Sequence, residues 1–63
     1  MPLHELIREA WRNACHNGDE QQLRAMDSYS LACDMYDCDA EIGKHPFKRV
    51  KEAVERFVDA QYQ

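Results

Sequence analysis

The feature that most constrains the fold is the spacing of the apolar residues, which recur every three or four positions and nowhere alternate. In the first such stretch they are Leu3, Leu6, Ile7, Ala10, Trp11, Ala14 and Cys15. This spacing places them on one face of an α-helix. Pro2 suits a first helical turn, and Gly18 can adopt the left-handed conformation that ends a helix. The pattern therefore predicts a helix over about residues 2–17.

A second helix is predicted over about residues 20–38, a stretch that contains neither glycine nor proline. Asp19 is the expected N-cap, with Gln22 as its capping-box partner. The apolar residues of this segment lie on more than one side of the helix, which indicates burial on more than one side. A break near Asp27 and Ser28 stays open at this point, because serine lowers helix propensity slightly.

The third helix is predicted over about residues 46–61, after a connection at about residues 39–45 that contains Gly43. The apolar face of this helix consists of Phe47, Val50, Val54, Phe57 and Val58. Two pairs on its opposite side, Lys51–Glu55 and Glu52–Arg56, have the i, i+4 spacing of favourable ion pairs.

Together these patterns predict an all-α fold in which two to three amphipathic helices pack antiparallel as a helical hairpin. The 63 residues allow one small domain, over residues 1–63. Such a short chain has few helices to cover a middle helix with several apolar sides, so we expect homodimerisation to complete the fold. The residues expected in the core or interface are Leu3, Leu6, Ile7, Trp11, Leu23, Met26, Tyr29, Tyr36, Val50, Val54 and Phe57.

The chain has the features of a cytoplasmic protein. It contains no apolar run long enough to span a bilayer, and charges interrupt the apolar pattern at its N-terminus, unlike a signal peptide. Its three cysteines, Cys15, Cys33 and Cys38, are an odd number, which indicates reduced thiols.

Catalytic and metal-binding motifs are incomplete. The alternate acids Asp37, Asp39 and Glu41 resemble the start of an EF-hand loop, but Gly43 comes one position late and the final glutamate is missing. The cysteines lack the paired spacing of a zinc site, and no nucleophile motif is present. We expect no enzymatic activity, metal or cofactor, with the cysteines acting as small apolar residues.

A cluster of basic residues at the start of the third helix gives an alternative function. It consists of Lys44, Lys48, Arg49 and Lys51, and a helix-turn-helix protein presents such residues to DNA. The net charge of −4, the acids of residues 34–41 and the long connection at 37–46 make nucleic acid an unfavoured partner. The bases could instead face those acids, within one subunit or between subunits.

From "MPLHELIREAWRNACHNGDEQQLRAMDSYS" to "HPFKRVKEAVERFVDAQYQ", the chain resembles the small early proteins of the exo–xis region of phage lambda and Shiga-toxin-converting lambdoid phages. The resemblance covers the full length and rests on overall similarity and length, not on a catalytic motif. It implies a small helical protein that self-associates and modulates early phage development, the balance between lysis and lysogeny, or the host cell cycle. It supplies no catalytic residues.

We therefore predict a small phage regulatory protein that acts by protein–protein interaction in the host cytoplasm, with a host or phage protein as its target. Aromatic side chains dominate binding hot spots, so Trp11, Tyr29 and Tyr36 are the candidate anchors. The alternative for all three is a place in the core.

Overall fold

The computed structural model describes residues 1–61, which form four α-helices and a short 3₁₀ turn. Their bounds are α1 Leu3–His16, α2 Glu20–Ala25, α3 Ser28–Cys38, the 3₁₀ turn Ile42–Lys44 and α4 Phe47–Gln61. The prediction of an all-α fold is confirmed. The number of α-helices is four, not the predicted two to three.

Helix α1 ends as its sequence predicts, at Gly18. This glycine has a φ of +89°, in the left-handed region that residues with a side chain rarely adopt. The Gly18 N–H donates to the Cys15 carbonyl at 3.1 Å, and the Asp19 N–H donates to the Ala14 carbonyl at 3.0 Å. These two bonds form a Schellman motif, which satisfies carbonyls that the end of the helix leaves free.

Residues 20–38 form two helices, with the break beside Asp27 and Ser28, where the sequence left one open. Met26 and Asp27 have extended backbones, with ψ angles of 143° and 167°. The Asp27 side chain accepts a hydrogen bond of 2.7 Å from the Ser30 N–H, and so acts as the N-cap of α3. The predicted cap at Asp19 does not form, since its side chain makes no capping hydrogen bond.

The connection between α3 and α4 is ordered by Asp39. Its carboxylate accepts hydrogen bonds from the Glu41 N–H at 2.9 Å and the Ile42 N–H at 3.3 Å. The Gly43 N–H donates to the Asp39 carbonyl at 2.9 Å. The resulting turn directs Ile42 into the core, where its side chain is fully buried. The segment predicted as a plain connection therefore contributes to the core.

The core lies where α4 packs against α3 and α1, with α2 packed against α1 and the 3₁₀ turn packed against both α3 and α1. The buried residues are Leu6, Ile7, Trp11, Leu23, Leu31, Ala32, Met35, Ile42, Val50 and Val54. Leu3, Met26, Tyr36 and Phe57 are partly buried against them. Among the residues expected in the core or interface, only Tyr29 is exposed.

The apolar sides of the middle segment are covered mostly within one chain. Because the break at Met26 and Asp27 starts a new helix, α3 faces the core with Leu31, Ala32 and Met35. The prediction that this segment carries more apolar surface than one chain can cover is therefore wrong. Homodimerisation stays a prediction, without that support.

No helix within residues 1–61 combines the length and the apolar character needed to cross a membrane.

Candidate functional site

Seven of the eleven residues expected in the core or interface are also candidate binding residues, and they occupy three environments. Trp11, Leu23 and Val54 are buried, and Met26, Tyr36 and Phe57 are partly buried. Tyr29 is 55% exposed, and the only other large apolar side chain exposed in residues 1–61 is Met1. Of the three candidate aromatic anchors, Tyr29 is thus the one most available to a partner.

Tyr29 belongs to a row of three aromatic side chains along the contact between α3 and α4. The ring of Phe47 lies 5.8 Å from that of Tyr29 and 5.4 Å from that of Tyr36, edge to face in both cases. The Lys51 ammonium lies 5.8 Å from the centre of the Tyr29 ring. We call Tyr29, Tyr36, Phe47 and Lys51 the aromatic edge.

Local sequence explains how the aromatic edge forms. Tyr29 and Tyr36 are seven positions apart, about two helical turns, so they share one side of α3. Phe47 is the first residue of α4, where Pro46 fixes the start of the helix. Phe47 can therefore lie between the two tyrosine rings, and edge-to-face contacts of this kind add about 0.5–1.5 kcal/mol beyond simple burial.

Only Tyr29 and Tyr36 of this cluster were identified from the sequence as candidate anchors. Phe47 was assigned to the apolar face of the third helix, and Lys51 to a nucleic-acid contact. The position of Phe47 just after Pro46, on the side of α4 that it shares with Lys51, is the signal that could have found the cluster.

The basic residues proposed as nucleic-acid contacts are partly neutralised by acids of the same chain. Lys44 lies 3.2 Å from the Glu41 carboxylate, and Lys51 lies 3.8 Å from Glu55. Lys48 and Arg49 have no carboxylate within 4.0 Å among residues 1–61. The Lys44–Glu41 pair is one of the contacts expected between these bases and the acids of residues 34–41.

The helix arrangement does not favour DNA recognition. The helix that follows a tight turn is α3, which begins directly after the extended residues Met26 and Asp27. In a helix-turn-helix protein this helix enters the major groove. Here it contains Asp34 and Asp37 and no lysine, arginine or histidine. The basic helix α4 instead follows the longer connection of residues 39–46.

Metal-ligating and thiol side chains do not form a clustered site in residues 1–61. No group of three histidine, cysteine, aspartate or glutamate side chains there is arranged to hold a metal ion. The three cysteines are free, and the exposed Cys38 thiol contacts the Asp34 carboxylate at 3.9 Å. Cys15 and Cys33 are half-buried.

Comparisons with protein-family models, curated proteins and solved structures found no match to this chain.

Proposed function

We propose that this protein is a small regulator that acts by binding another protein through the aromatic edge. The observation that supports this most directly is the exposure of Tyr29, because the other large apolar side chains within residues 1–61, apart from Met1, are buried or half-buried. A tyrosine in water exposes a large apolar ring, and burying that ring against a partner contributes strongly to binding.

The contacts around Tyr29 favour binding further. Phe47 supports one side of its ring, and Lys51 lies near the ring face. A ring held in place loses little side-chain freedom when a partner covers it, which reduces the entropic cost of association. The surface therefore offers one aromatic anchor that is oriented before binding, with a cation beside it.

Self-association is part of the same proposal. If two copies of the chain form a homodimer, the aromatic edge is the surface that we expect them to share. Tyr29 of one copy would then pack against the same surface of the other, as two-fold symmetry requires.

The biological setting of the proposal comes from the resemblance to exo–xis region proteins of lambdoid phages. In that setting the chain would act in the host cytoplasm and bind a host or phage regulator. Its effect would be on early development and on the balance between lysis and lysogeny.

Affinity capture from lysate of phage-infected bacteria tests the proposal. The wild-type chain is compared with Tyr29→Ala, and with Tyr29→Phe as a matched control that keeps the ring. We expect at least one protein that the wild type and Tyr29→Phe retain and Tyr29→Ala loses, by roughly tenfold or more, as for a hot-spot residue. Tyr29→Ala should still unfold cooperatively, at a Tm lower than wild type by several degrees, because it loses the edge-to-face contact with Phe47 and no fully buried side chain. If all three chains capture the same proteins equally and also self-associate equally, the aromatic edge has no role in binding.

A further inference from the structure

A groove between α1 and α4 is the second surface of this protein with the features of a binding site. It consists of two adjoining sections of about 370 and 270 Å³ that share His4, Ala53 and Arg56. Arg56 and Lys51 are five positions apart and therefore point about 140° away from each other around α4. The groove thus lies on a different side of α4 from the aromatic edge.

The floor of the groove is apolar and firmly supported. It contains Ala53 and Phe57 from α4, with Leu3 at one end. The Phe57 ring packs edge to face on the buried Trp11 ring, with 5.4 Å between their centres. The small Ala53 side chain leaves space for the backbone of another element to approach, while Phe57 provides apolar contact area.

The rim of the groove is basic. Arg8, Arg49 and Arg56 line it. Neither Arg49 nor Arg56 has a carboxylate within 4.0 Å in the part of the chain that the structure describes, and the expected Glu52–Arg56 pair does not form there. Both guanidinium groups are therefore available to carboxylates of a partner.

Two acidic residues neutralise part of this positive charge but not all of it. Glu5 lies 3.5 Å from Arg8 and 3.4 Å from His4. Glu52 lines one section of the groove. Three arginines against these two acids leave a local positive excess, in a chain whose net charge is −4. The groove is therefore locally basic although the chain as a whole is acidic.

We infer that this groove binds an acidic amphipathic helix of another protein. Arg49 and Arg56 are separated by about 10.5 Å along α4, the rise of two helical turns. Glutamates seven positions apart on a bound helix have the same separation. Apolar side chains between them would contact Ala53 and Phe57, in the manner of a helix that binds in a groove.

Other occupants fit the groove less well. A second copy of this chain does not offer a suitable helix, because Leu31, Ala32 and Met35 of α3, its acidic helix, are buried in its own core. A nucleic acid would place phosphates beside Glu52 and over an apolar floor, and the overall negative charge would repel it. A helix with both carboxylates and apolar side chains matches both the rim and the floor.

The test uses a synthetic helical peptide with leucines on one face and glutamates flanking them, and no aromatic residue. Trp11 is the only tryptophan of the chain and contacts the groove floor, so its fluorescence reports binding. The matched peptide replaces every glutamate with lysine. We expect the glutamate peptide to bind at least tenfold more tightly than the lysine peptide, with an affinity that falls as salt rises.

Charge reversal locates the binding site. The double variant Arg49→Glu, Arg56→Glu should bind the glutamate peptide at least tenfold more weakly and gain affinity for the lysine peptide. Arg12→Glu with Lys48→Glu makes the same change of charge on exposed residues outside the groove lining and should alter affinity less than threefold. Unchanged thermal unfolding of both double variants shows that they fold.

Three outcomes would overturn the inference. The two peptides could bind equally, or the two double variants could weaken binding equally. Alternatively, charge reversal in the groove could dissociate a homodimer, which would make the groove the contact between two copies of the chain. Tyr29→Ala should leave peptide affinity within twofold of wild type. If Tyr29→Ala abolishes peptide binding and groove reversal does not, this inference fails while the proposed function stands. If the groove binds the peptide as described but Tyr29→Ala affects no interaction, only the proposed function fails.

Discussion

At the scale of single residues, Gly18 and Ile42 show two different ways in which a side chain, or its absence, determines the fold. Gly18 is required by its backbone conformation alone, because a β-carbon built there meets no atom within 4 Å. Ile42 is required by its side chain alone, which is fully buried although it lies in a three-residue turn.

Replacing Gly18 tests the backbone requirement. Gly18→Ala should destabilise the protein by about 1 kcal/mol, because an L-residue is strained at positive φ. A chemically synthesised chain with D-alanine at position 18 adopts positive φ without strain and should be more stable than the L-alanine variant, by urea denaturation. Equal stability of the two alanine chains would show that α1 does not end as described.

Truncating Ile42 tests the side-chain requirement. Ile42→Ala should cost about 2–4 kcal/mol, since it removes a fully buried side chain and leaves a cavity. The total stability of a chain of this size is about 3–9 kcal/mol, so the variant should lose a large share of it and unfold at a clearly lower temperature. The matched variant Ile42→Val should cost only about 1 kcal/mol. Denaturation followed by circular dichroism measures both, and a neutral effect of Ile42→Ala would place the turn outside the core.

At the scale of elements, the separation of α2 from α3 has the largest consequence. The Asp27 carboxylate accepts a hydrogen bond from the Ser30 N–H. This backbone hydrogen bond is the main cause that holds the pKa of the Asp27 carboxyl below its usual value, and a hydrogen bond from the Ser30 side chain is the second cause. A carboxyl with a lowered pKa in the folded state stabilises the fold while it is ionised. Its contribution is complete above about pH 4, the usual range for aspartate, and is lost as pH falls through the folded-state pKa.

This pH dependence can be isolated with two substitutions. Asp27→Ala removes the cap and should lower Tm at neutral pH, whereas Asp27→Asn keeps an accepting oxygen that does not titrate. Below about pH 4 the difference in Tm between wild type and Asp27→Ala should shrink. The difference in Tm between Asp27→Asn and Asp27→Ala should persist, because the asparagine does not titrate. A constant difference between wild type and Asp27→Ala down to strongly acidic pH would contradict the capping role.

At the scale of the whole molecule, the predicted homodimer can be tested by sedimentation equilibrium over a wide range of concentration. We expect self-association that Tyr29→Ala weakens by about tenfold or more, since an aromatic anchor at the centre of an interface carries much of its energy. The exposed variant Gln21→Ala serves as the control. A wild-type chain that sediments as a monomer at every concentration would remove the homodimer from the proposal.

The charge of the whole molecule gives a further prediction. With a net charge of −4 and two of its four candidate bases paired with acids, the chain should not shift duplex DNA in a gel even at low salt. A gel shift of duplex DNA that weakens with rising salt and is reduced by Lys48→Ala would instead support the DNA-binding alternative.

The sequence by itself determined the helical class, the apolar faces of α1 and α4, and the end of α1 at Gly18. These features depend on residues close together in the chain, through the helical period and the conformational freedom of glycine. Only the tertiary structure decided which side of the middle segment became core. A cap at Asp27 and an unbroken helix are both compatible with the local sequence, and the choice between them changes which residues α3 buries.

Tertiary structure likewise decided the burial of Ile42, the contact of Phe47 with both tyrosines, and the groove between α1 and α4. Each brings together residues from different elements, and the periodicity within one element carries no information about contacts between elements. Because the core formed in this way also covers most of the apolar surface of the middle segment, the partner surfaces are a few exposed side chains and a charged groove, not a whole uncovered helix.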